Sequence, residues 1–385
     1  MGFGLPENAM KTKGAIDERS EGPIVIGAGL IALDVVYTDA AEQKPQVWAG
    51  GTCGNVLTIL SFLGWRSYPV ARLSGDNASR LILEDLKKWQ VRLEFAQLAP
   101  QASAPVIVQR ITRRAGQSPA HHFSWHCPKC GSWLPGYRSV LGKSVEEILP
   151  KVTATKVVFL DRVSRGNLNL AKACLEKGAL LFFEPSGVGE PRLFEEALSL
   201  AHVVKYSHER MGETRFPFPQ KGPLLEIETL GASGLRYRSR LKGRKGNEWR
   251  NVSSFPVATL RDAAGAGDWC SAGIIHKLGQ RGLKGLTHAS SVDVEHALQY
   301  GQALAAWNCG FEGARGGMYQ VSQVEFRSQV AKILKKTPAG VSEREQPSPA
   351  LKKLLESLCP GCEESSKSSA VRRTETNKGK SERAV

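Results

Sequence analysis

The sequence predicts an α/β protein in which a mostly parallel sheet is covered by helices on both faces. Short apolar runs alternate with amphipathic stretches of helical length: residues 156–160 precede 168–177, and residues 179–183 precede 191–200. Such alternation is typical of parallel strands joined by crossover helices. The chain has 385 residues, and 41% of them are hydrophobic, which is enough for one large domain.

The first predicted strand lies in the apolar run at residues 23–36. Within it, a Gly-x-Gly-x-x-Ala pattern begins at Gly27 and has the spacing of a dinucleotide-binding turn. That turn must open a helix, whereas residues 30–33 continue as an apolar, strand-like run. We therefore reject dinucleotide binding and place Asp34 inside a strand.

A glycine pair, Gly50 and Gly51, precedes the first predicted helix. Apolar residues recur at helical spacing over residues 56–63, and Gly64 stands where a glycine commonly ends a helix. A glycine pair allows a ligand to approach the backbone closely. The side chain of Asn55 can both donate to and accept from a hydroxyl, although helix capping is the alternative role for this asparagine.

The most informative motif is the small-residue turn of Gly265, Ala266 and Gly267, which stands just before an apolar run at residues 269–275. Because these residues have almost no side chains, backbone N–H groups at the predicted helix start can approach a phosphate. Asp268 would repel that phosphate unless it takes a proton from a hydroxyl that attacks it. The alternative is an ordinary strand-to-helix turn in which Asp268 caps the helix.

Five segments, in this order, resemble the ribokinase-like (PfkB-type) carbohydrate kinases. They are the glycine-pair helix at 48–64, a Gly-Asp segment at 68–77, a glycine-containing loop at 229–234, the Asp-x-x-Gly-Ala-Gly-Asp motif at 262–268 and a loop at 310–314. The resemblance implies a three-layer α/β/α fold with a mostly parallel central sheet and a small β-lid. We accordingly expect a kinase domain at residues 23–334, with the lid and a Cys-x-x-Cys insertion at about 104–140.

The resemblance further implies an enzyme that uses ATP to phosphorylate a hydroxymethyl group on a small sugar. Asp268 would be the general base, and the anion hole would be formed by Gly265, Ala266 and Gly267. The implied substrate-binding residues are Asp34, Gly50, Gly51, Asn55 and Asp161. The implied nucleotide-binding residues are Ser207, Thr229, Gly231, Gly234, Asp262, Asn308 and Gly313. A nucleoside kinase of the same fold and a catalytically weak regulatory protein that binds a sugar or nucleotide remain open as alternatives.

One segment departs from the family pattern. Many members have Asn-x-x-Glu after the corresponding strand, a motif tied to organising magnesium, whereas this chain has Ser207-His208-Glu209-Arg210. The resemblance still implies ATP and Mg²⁺ as cofactors, because phosphoryl transfer needs the phosphate charge to be neutralised. Glu209 is the candidate magnesium ligand, although it stands one residue early.

Two Cys-x-x-Cys pairs predict a structural zinc site. The first pair, Cys127 and Cys130, follows the expected lid strand, and the second pair, Cys359 and Cys362, is near the C-terminus. Four thiolates form a closed zinc site, which would tie the C-terminal segment to the lid. The alternatives are four free thiols or a local site that one of three neighbouring histidines completes, namely His121, His122 or His126.

The formal net charge of +15 results from 52 Lys and Arg against 37 Asp and Glu. Residues 335–385 contain 11 Lys and Arg against 7 Asp and Glu, so most of the excess lies in the part expected to fold. A positive cleft suits an enzyme whose substrates are anions. The basic cluster at residues 236–247 lacks an aromatic platform, so nucleic acid is not an expected partner. Residues 1–22 and 335–385 are expected to be largely disordered.

The sequence also limits location and partners. No apolar run reaches transmembrane length, and the N-terminus lacks a signal-peptide core. Eight cysteines without a secretory signal indicate a reducing cytoplasm. The expected partners are a small sugar or nucleoside and, because relatives often pair their lids, a second copy of the chain.

Overall fold

The structure is a computed structural model that describes residues 22–38, 45–73, 75–96, 102–112, 120–152, 154–211, 222–241, 248–335 and 357–362. The two predicted terminal tails lie almost entirely outside these residues. So does the tip of the basic cluster, at residues 242–247.

Strands and helices alternate through most of the described chain. The strands are β1 (Ile24–Ala28), β2 (Ala32–Thr38), β3 (Gln46–Gly50), β4 (Arg66–Pro69), β5 (Val106–Thr112), β6 (Ala120–Ser124), β7 (Thr155–Leu160), β8 (Leu180–Phe183), β9 (Val203–Ser207), β10 (Leu225–Thr229), β11 (Leu235–Ser239) and β12 (Arg250–Val252). The helices are α1 (Thr52–Phe62), α2 (Asn77–Lys88), α3 (Gly142–Glu146), α4 (Arg165–Leu175), α5 (Pro191–Leu200), α6 (His208–Met211), α7 (Ala266–Leu278), α8 (Gly282–Thr287), α9 (Ser291–Asn308), α10 (Gly316–Gln320) and α11 (Gln323–Leu334).

The central sheet has eight strands in the order β12-β11-β10-β9-β8-β7-β1-β4. From β10 to β4 all neighbours are parallel, and β11 and β12 are added antiparallel at one edge. The predicted mostly parallel sheet is therefore confirmed. Because the parallel strands end on the same side, the residues that follow them gather at one edge of the sheet, where ligands of such folds bind.

Both faces of this sheet are buried. In β7, Val157 and Phe159 pack into the core beneath α1, α7 and α9, whereas Val158 and Leu160 pack into the core beneath α4 and α5. Alternate residues of one apolar run thus face two different helix layers, which explains why the run is continuously hydrophobic. The three-layer α/β/α arrangement is confirmed.

Helices α7 and α9 pack unusually closely. A Cβ added at Gly273 of α7 would lie 2.7 Å from the Cα of Gly301 in α9. Only glycine at both positions permits this approach. The contact fixes α7, and therefore its N-terminus, against the core.

A second sheet, in the order β3-β2-β5-β6, forms the lid. The expectation that residues 23–36 form one strand was wrong, because the chain turns at residues 29–31 and separates β1 from β2. Strand β2 pairs with β3 and β5, so Asp34 belongs to the lid and not to the central sheet. The lid accordingly combines two strands from the N-terminal region with two from the predicted insertion.

None of the helices described is both long and apolar enough to cross a membrane.

Candidate active site

The turn before α7 has the geometry of an anion cradle. Gly265 adopts φ +71°, and a Cβ there would lie 2.3 Å from the carbonyl oxygen of Ala314. Helical hydrogen bonding begins with Trp269, whose N–H donates to the Gly265 carbonyl at 2.9 Å. The N–H groups of Gly267 and Asp268 precede that bond and lie outside the helical ladder, as anion binding at a helix start requires.

A buried ion pair lies beside this turn. Lys205, at 1% exposure, pairs with Glu184, which also accepts a hydrogen bond from the Ser271 hydroxyl. A Cβ added at Gly267 would lie 3.7 Å from Lys205 Nζ and 3.8 Å from Glu184 Oε1, with no other atom nearer. The turn is therefore open to a ligand, and an ammonium group stands within reach of it.

Asp268 has the environment of a proton acceptor that works near neutral pH. Burial, reinforced by the nearby charge of Glu184, raises the pKa of Asp268 to about 7. The side chain of Asn55 opposes this shift, because its Nδ2 donates to Asp268 Oδ2 at 2.7 Å. The positive charges of Lys205 and Arg210 lower the pKa further. A base with such a pKa takes up and releases a proton readily at pH 7.

Arg315 holds Asn55 in place. Its Nε donates to Asn55 Oδ1 at 3.0 Å, so the amide nitrogen of Asn55 is directed at Asp268. The same guanidinium donates to the Ala49 carbonyl and to Asp85 Oδ2, the latter at 2.7 Å. One buried cation thus connects the glycine-pair segment, α1 and α2 with the loop that follows α9.

Asp34 faces the glycine pair from the lid. A Cβ at Gly50 would lie 2.0 Å from Asp34 Oδ2, so this position has room only for glycine. The N–H of Gly51, which has φ +80°, donates to the Asp34 carboxyl. Burial raises the pKa of Asp34 to about 7, and the charge of Arg315 opposes that rise. The structure therefore brings Asp34, Gly50, Gly51 and, through Arg315, Asn55 together.

Asp161 lies at the end of β7, and its side chain is not a solvated strand-end charge. It is 2% exposed, and Oδ1 accepts from the N–H of Leu30 at 2.9 Å. Oδ2 lies 3.2 Å from Arg162 Nη1. Burial raises the pKa of Asp161 to about 6, against the charge of Arg162. A Cβ at Gly29 would lie 1.6 Å from this carboxyl, so the chain between β1 and β2 passes directly over it.

The predicted nucleotide side is formed by the ends of β9 and β10. Ser207 and Thr229 are register partners at the ends of these parallel strands. Gly231 begins a 3-10 turn, Gly231–Ser233, and has φ +59°. Gly234, with φ +98°, stands so close to β12 that a Cβ would lie 2.3 Å from the Val252 carbonyl oxygen. These residues form a continuous, glycine-rich rim.

Asp262 and Asn308 organise the loops around the cradle. The Asp262 carboxylate accepts from the N–H groups of Ala264 and Gly313, both at 2.9 Å. Asn308 is fully buried, and its amide donates to the carbonyl of Gly313 at 3.2 Å. Both side chains are thus held by backbone groups. Their contact with a nucleotide stays a prediction.

His121 of the lid reaches the same loops. Its Nε2 lies 3.3 Å from Asp262 Oδ1, and its Nδ1 is paired with Gln109. An open cavity lies between lid and loops, with about 560 Å³ of empty space when the solvent at its mouth is included. Its lining includes Asp34, Trp48, Gln109, Asp262, Gly313 and Arg315.

Glu209, the candidate magnesium ligand, is exposed on the short helix α6. Its neighbour His208 pairs with Glu228 at 2.6 Å. Arg210, where the family pattern led us to expect an acidic residue, adds positive charge toward Asp268. The magnesium role of Glu209 therefore stays a prediction.

The four cysteines predicted to bind zinc form one cluster. The Sγ atoms of Cys127, Cys130, Cys359 and Cys362 all lie within 4.8 Å of one another. Cys127 and Cys362 are 3.8 Å apart, and Cys130 and Cys359 are 3.6 Å apart. Tetrahedral zinc with Zn–S bonds of about 2.3 Å separates its sulfurs by roughly 3.8 Å. The sulfurs therefore have the spacing of a metal site.

The neighbouring histidines are not part of this cluster. His121 lies beside Asp262 and Gln109, and His122 Nε2 lies 3.5 Å from Thr112 Oγ1. The His126 ring packs against Trp133 at a tilt of 43°, with a centroid distance of 4.2 Å. The Cys127 N–H donates to the Ser132 carbonyl at 2.8 Å, which closes the turn between the first two cysteines and Ser132.

Sequence reasoning missed Arg315 and the pair of Lys205 and Glu184 as parts of the site. Glu184 stands directly after the apolar run at 179–183, and Lys205 lies in a later strand, but no local motif gives either residue a role. The available signal was a lone lysine within the apolar strand β9, because a buried lysine needs a partner. Arg315 follows directly after the loop expected to border the nucleotide and has no distinguishing pattern.

Neither protein-family models nor curated protein sequences give a match to this chain. Solved structures do. Ribokinase from Giardia lamblia is 14% identical, with a TM-score of 0.58 over 77% of this chain and 95% of that chain. Ribokinase from Arabidopsis thaliana, solved with ribose and ATP, is 19% identical, with a TM-score of 0.57; the match covers 82% of this chain and 99% of that chain. A nucleoside kinase from Burkholderia thailandensis, solved with inosine, is 14% identical, with a TM-score of 0.57; the match covers 82% of this chain and 100% of that chain. The chain therefore has the ribokinase-like fold.

Proposed function

We propose that this protein is an ATP-dependent kinase that phosphorylates a hydroxymethyl group on a small sugar. The observation that supports this most directly is the buried Asp268 beside the open turn of Gly265 to Gly267. A protein that only binds a phosphate has no need of a carboxyl there, because the carboxylate would repel it. The similarity to ribokinase structures from two organisms agrees with this role.

In this proposal the substrate lies between the lid and the edge of the central sheet. Asp34, which lines the cavity, accepts hydrogen bonds from its hydroxyls, and the backbone of Gly50 and Gly51 packs against it. The enclosed Asp161 side chain acts indirectly, because it holds the chain between β1 and β2 through the Leu30 N–H. Asn55 and Asp268 are already hydrogen-bonded to each other, so the hydroxymethyl group has a defined acceptor. Asp268 takes its proton as the oxygen attacks the γ-phosphoryl group, and the bond from that group to the β-phosphate oxygen breaks so that ADP leaves.

The nucleotide is proposed to follow the glycine-rich rim formed by Ser207, Thr229, Gly231 and Gly234, with its terminal phosphate over α7. Lys205 supplies a fixed positive charge there, and the N–H groups of Gly267 and Asp268 supply hydrogen bonds. Magnesium, when bound with ATP, neutralises charge on the phosphates. Glu209 is the candidate protein ligand, and carboxylate oxygen suits this ion.

A nucleoside kinase is the second candidate, because the Burkholderia thailandensis enzyme of the same fold was solved with inosine. A nucleoside presents the same hydroxymethyl group as a pentose. The ring of Trp48, which lines the larger cavity and lies 5.4 Å from that of Tyr319, is an aromatic surface on which a base can stack.

The test is a phosphorylation assay with ATP and magnesium over a panel of sugars and nucleosides. Asp268→Asn preserves shape and hydrogen bonding but removes the proton acceptor, so turnover should fall by about 10²–10⁴-fold while ATP binding persists. Turnover by Asp268→Asn at the wild-type rate would show that another group is the base. Ligand binding without turnover by the wild type would favour the regulatory alternative.

We also propose that the four-cysteine cluster binds a structural zinc ion. All four sulfurs come from two turns, and zinc favours four thiolates in a closed site. The ion would connect the C-terminal segment at residues 357–362 with the loop that follows β6.

Finally, we propose a homodimer through the lid. Strand β6 is the outer strand of the lid sheet, and Phe123, Trp125 and Trp133 beside it are 50%, 46% and 70% exposed. An open strand edge next to exposed aromatic residues favours pairing with a second lid. Sedimentation should show a dimer that Phe123→Ser/Trp133→Ser weakens. Val324→Ser, at an exposed position of α11, is the control that should leave it intact.

A further inference from the structure

A second cavity adjoins the candidate active site at Gly29. It encloses about 310 Å³, including its open mouth, and lies where the end of β4 meets the chain before β5 and the chain before α3. Its lining includes Gly29, Val70, Arg72, Ser103, Tyr137 and Arg138. Leu30, which follows Gly29, packs on the glycine pair of the proposed substrate site: a Cβ at Gly51 would lie 2.5 Å from the Leu30 carbonyl oxygen, so this cavity borders that site.

Arg72 places a positive charge in this cavity that no carboxylate balances in the part of the chain described. Its Nε is buried and has no hydrogen-bond partner among the described residues. Its only described hydrogen bond, from Nη1 to the Ser139 carbonyl, is long at 3.4 Å. Leaving a guanidinium nitrogen buried without an acceptor is costly unless a ligand supplies one.

The other polar groups at this cavity are also donors. Arg138 lines the same wall and is exposed, and it forms no ion pair with any residue described. Asn167 Nδ2 donates to the hydroxyl oxygen of Tyr137 at 3.5 Å, which leaves the Tyr137 O–H as a donor. Within the described part of the chain, no acidic residue lines the cavity, whereas carboxyls crowd the neighbouring region around Asp34, Asp161 and Asp268. The two regions therefore favour different groups of a ligand. The carboxyls favour hydrogen-bond donors such as hydroxyls, and the arginines favour an anionic acceptor.

We propose that the second cavity binds an anionic group, a carboxylate or a phosphate, on the sugar substrate. This inference rests on the proposed kinase function and specifies its substrate class: a sugar acid or sugar phosphate with a free hydroxymethyl group. The anion accepts hydrogen bonds from Arg72 and Arg138, since a guanidinium donates well to either anion. The hydroxyls bind Asp34, and the hydroxymethyl group lies at Asp268 at the other end of the substrate.

The experiment compares two pairs of compounds that keep a free hydroxymethyl group: D-gluconate with D-glucose, and D-fructose 6-phosphate with D-fructose. Calorimetry measures binding to the full chain, and a coupled assay measures kcat/KM with ATP. At least one anion should bind about tenfold or more tightly than its neutral parent, and Arg72→Gln should reduce that preference by about 10–100-fold, because a charged hydrogen bond is lost. Preference for gluconate indicates a sugar acid, and preference for the phosphate ester indicates a sugar phosphate.

Arg80→Gln is the matched control, because Arg80 is 54% exposed on α2 and pairs only with Glu84 among described residues. It should leave the preference unchanged, and thermal melting should show that Arg72→Gln folds. Equal binding of anions and neutral parents, or a preference that survives Arg72→Gln, would overturn the inference. Phosphorylation of neutral sugars without any anion preference would reject the anion-binding role of the second cavity and leave the kinase function standing. Arg72-dependent anion binding without any phosphorylation would reject the kinase function and leave the anion site standing.

Discussion

Asp34, Asp161 and Asp268 share one physical property, which is that burial raises the pKa of each carboxyl above its ordinary value. The pKa is about 7 for Asp34 and Asp268 and about 6 for Asp161. Carboxyls so close to neutrality change charge within the physiological range, and such groups concentrate at functional sites.

The first prediction concerns the pH dependence of activity. Asp268 accepts a proton only when it is ionised, so kcat/KM should rise with pH until about 7 and then level off. Below that value it should fall by about tenfold per pH unit. The pH profile of the initial rate tests this, with ATP affinity measured over the same range as the control. A profile that stays flat between pH 5 and 8 would contradict the role of Asp268.

The second prediction concerns stability. Because the pKa of Asp268 is raised from its unfolded value near 3.9, the protonated carboxyl favours the folded state, and this contribution is lost as pH rises through about 7. Asp268→Asn removes the buried charge and should raise the melting temperature at pH 8 by about 2–5 °C, with a smaller effect at pH 5. Melting curves of wild type and Asp268→Asn at pH 8 and pH 5 test this prediction. A variant less stable than wild type at pH 8 would show that the ionised carboxylate is well accommodated.

At the scale of residues, the sequence predicted side chains that stand in recognisable patterns and missed those that act across the fold. Asn55, Asp268 and the glycines stand in short motifs, so they could be named before the structure. Arg315 contacts Asn55 and Asp85 from more than 200 positions away. Its role depends on contacts between residues distant in the chain, which no local sequence pattern predicts.

At the scale of elements, α7 shows how two glycines of one turn differ. Gly265 has φ +71° and touches the backbone of Ala314, whereas Gly267 is exposed, has no positive φ, and would bring a Cβ only into ordinary contact with Lys205 and Glu184, at 3.7 and 3.8 Å. One glycine is required by the fold, and the other leaves room for a ligand.

The third prediction follows from that difference. Gly265→Ala should lower the free energy of unfolding by roughly 1–3 kcal/mol, because both its φ and its contact with the Ala314 carbonyl become unfavourable. Gly267→Ala should leave melting nearly unchanged but weaken turnover, because its methyl group occupies the approach of the phosphate. Melting curves and kcat for both variants test this. Equal loss of stability in the two variants would reject the distinction.

The lid shows where element prediction failed. Residues 23–36 have the hydrophobic pattern of one strand, yet the chain turns at 29–31 and sends β2 to a different sheet. Periodicity reports that a segment is extended and does not identify its partners. The partners of β2 are β3 and β5, and the latter lies about 70 residues away in the chain.

At the scale of the whole molecule, the sheet and its two helix layers were predictable because strands buried on both faces have continuous apolar runs. The contact between the C-terminal segment and the lid was predictable only through chemistry. Cys127 and Cys362 are 235 positions apart. Their shared affinity for a soft metal was the one signal that joined them.

The last prediction is that the purified protein contains about one zinc ion per chain, bound by the four-cysteine cluster. A Cβ at Gly361 would lie 2.7 Å from Ser132 Oγ, so the C-terminal segment packs directly on the loop that holds Cys130. Chelation should release that segment and increase its proteolysis while the core keeps its cooperative melting, because the cluster lies outside the central sheet.

Metal analysis of Cys359→Ser/Cys362→Ser decides between ligand sets. Zinc should fall well below one equivalent in this variant, whereas Cys174→Ala, which removes a buried thiol far from the cluster, should keep full occupancy. Wild-type protein without zinc would reject the site. Zinc retained at full occupancy in the double variant would instead assign the remaining ligands to His121, His122 or His126, and the lid would then be free of the C-terminal segment.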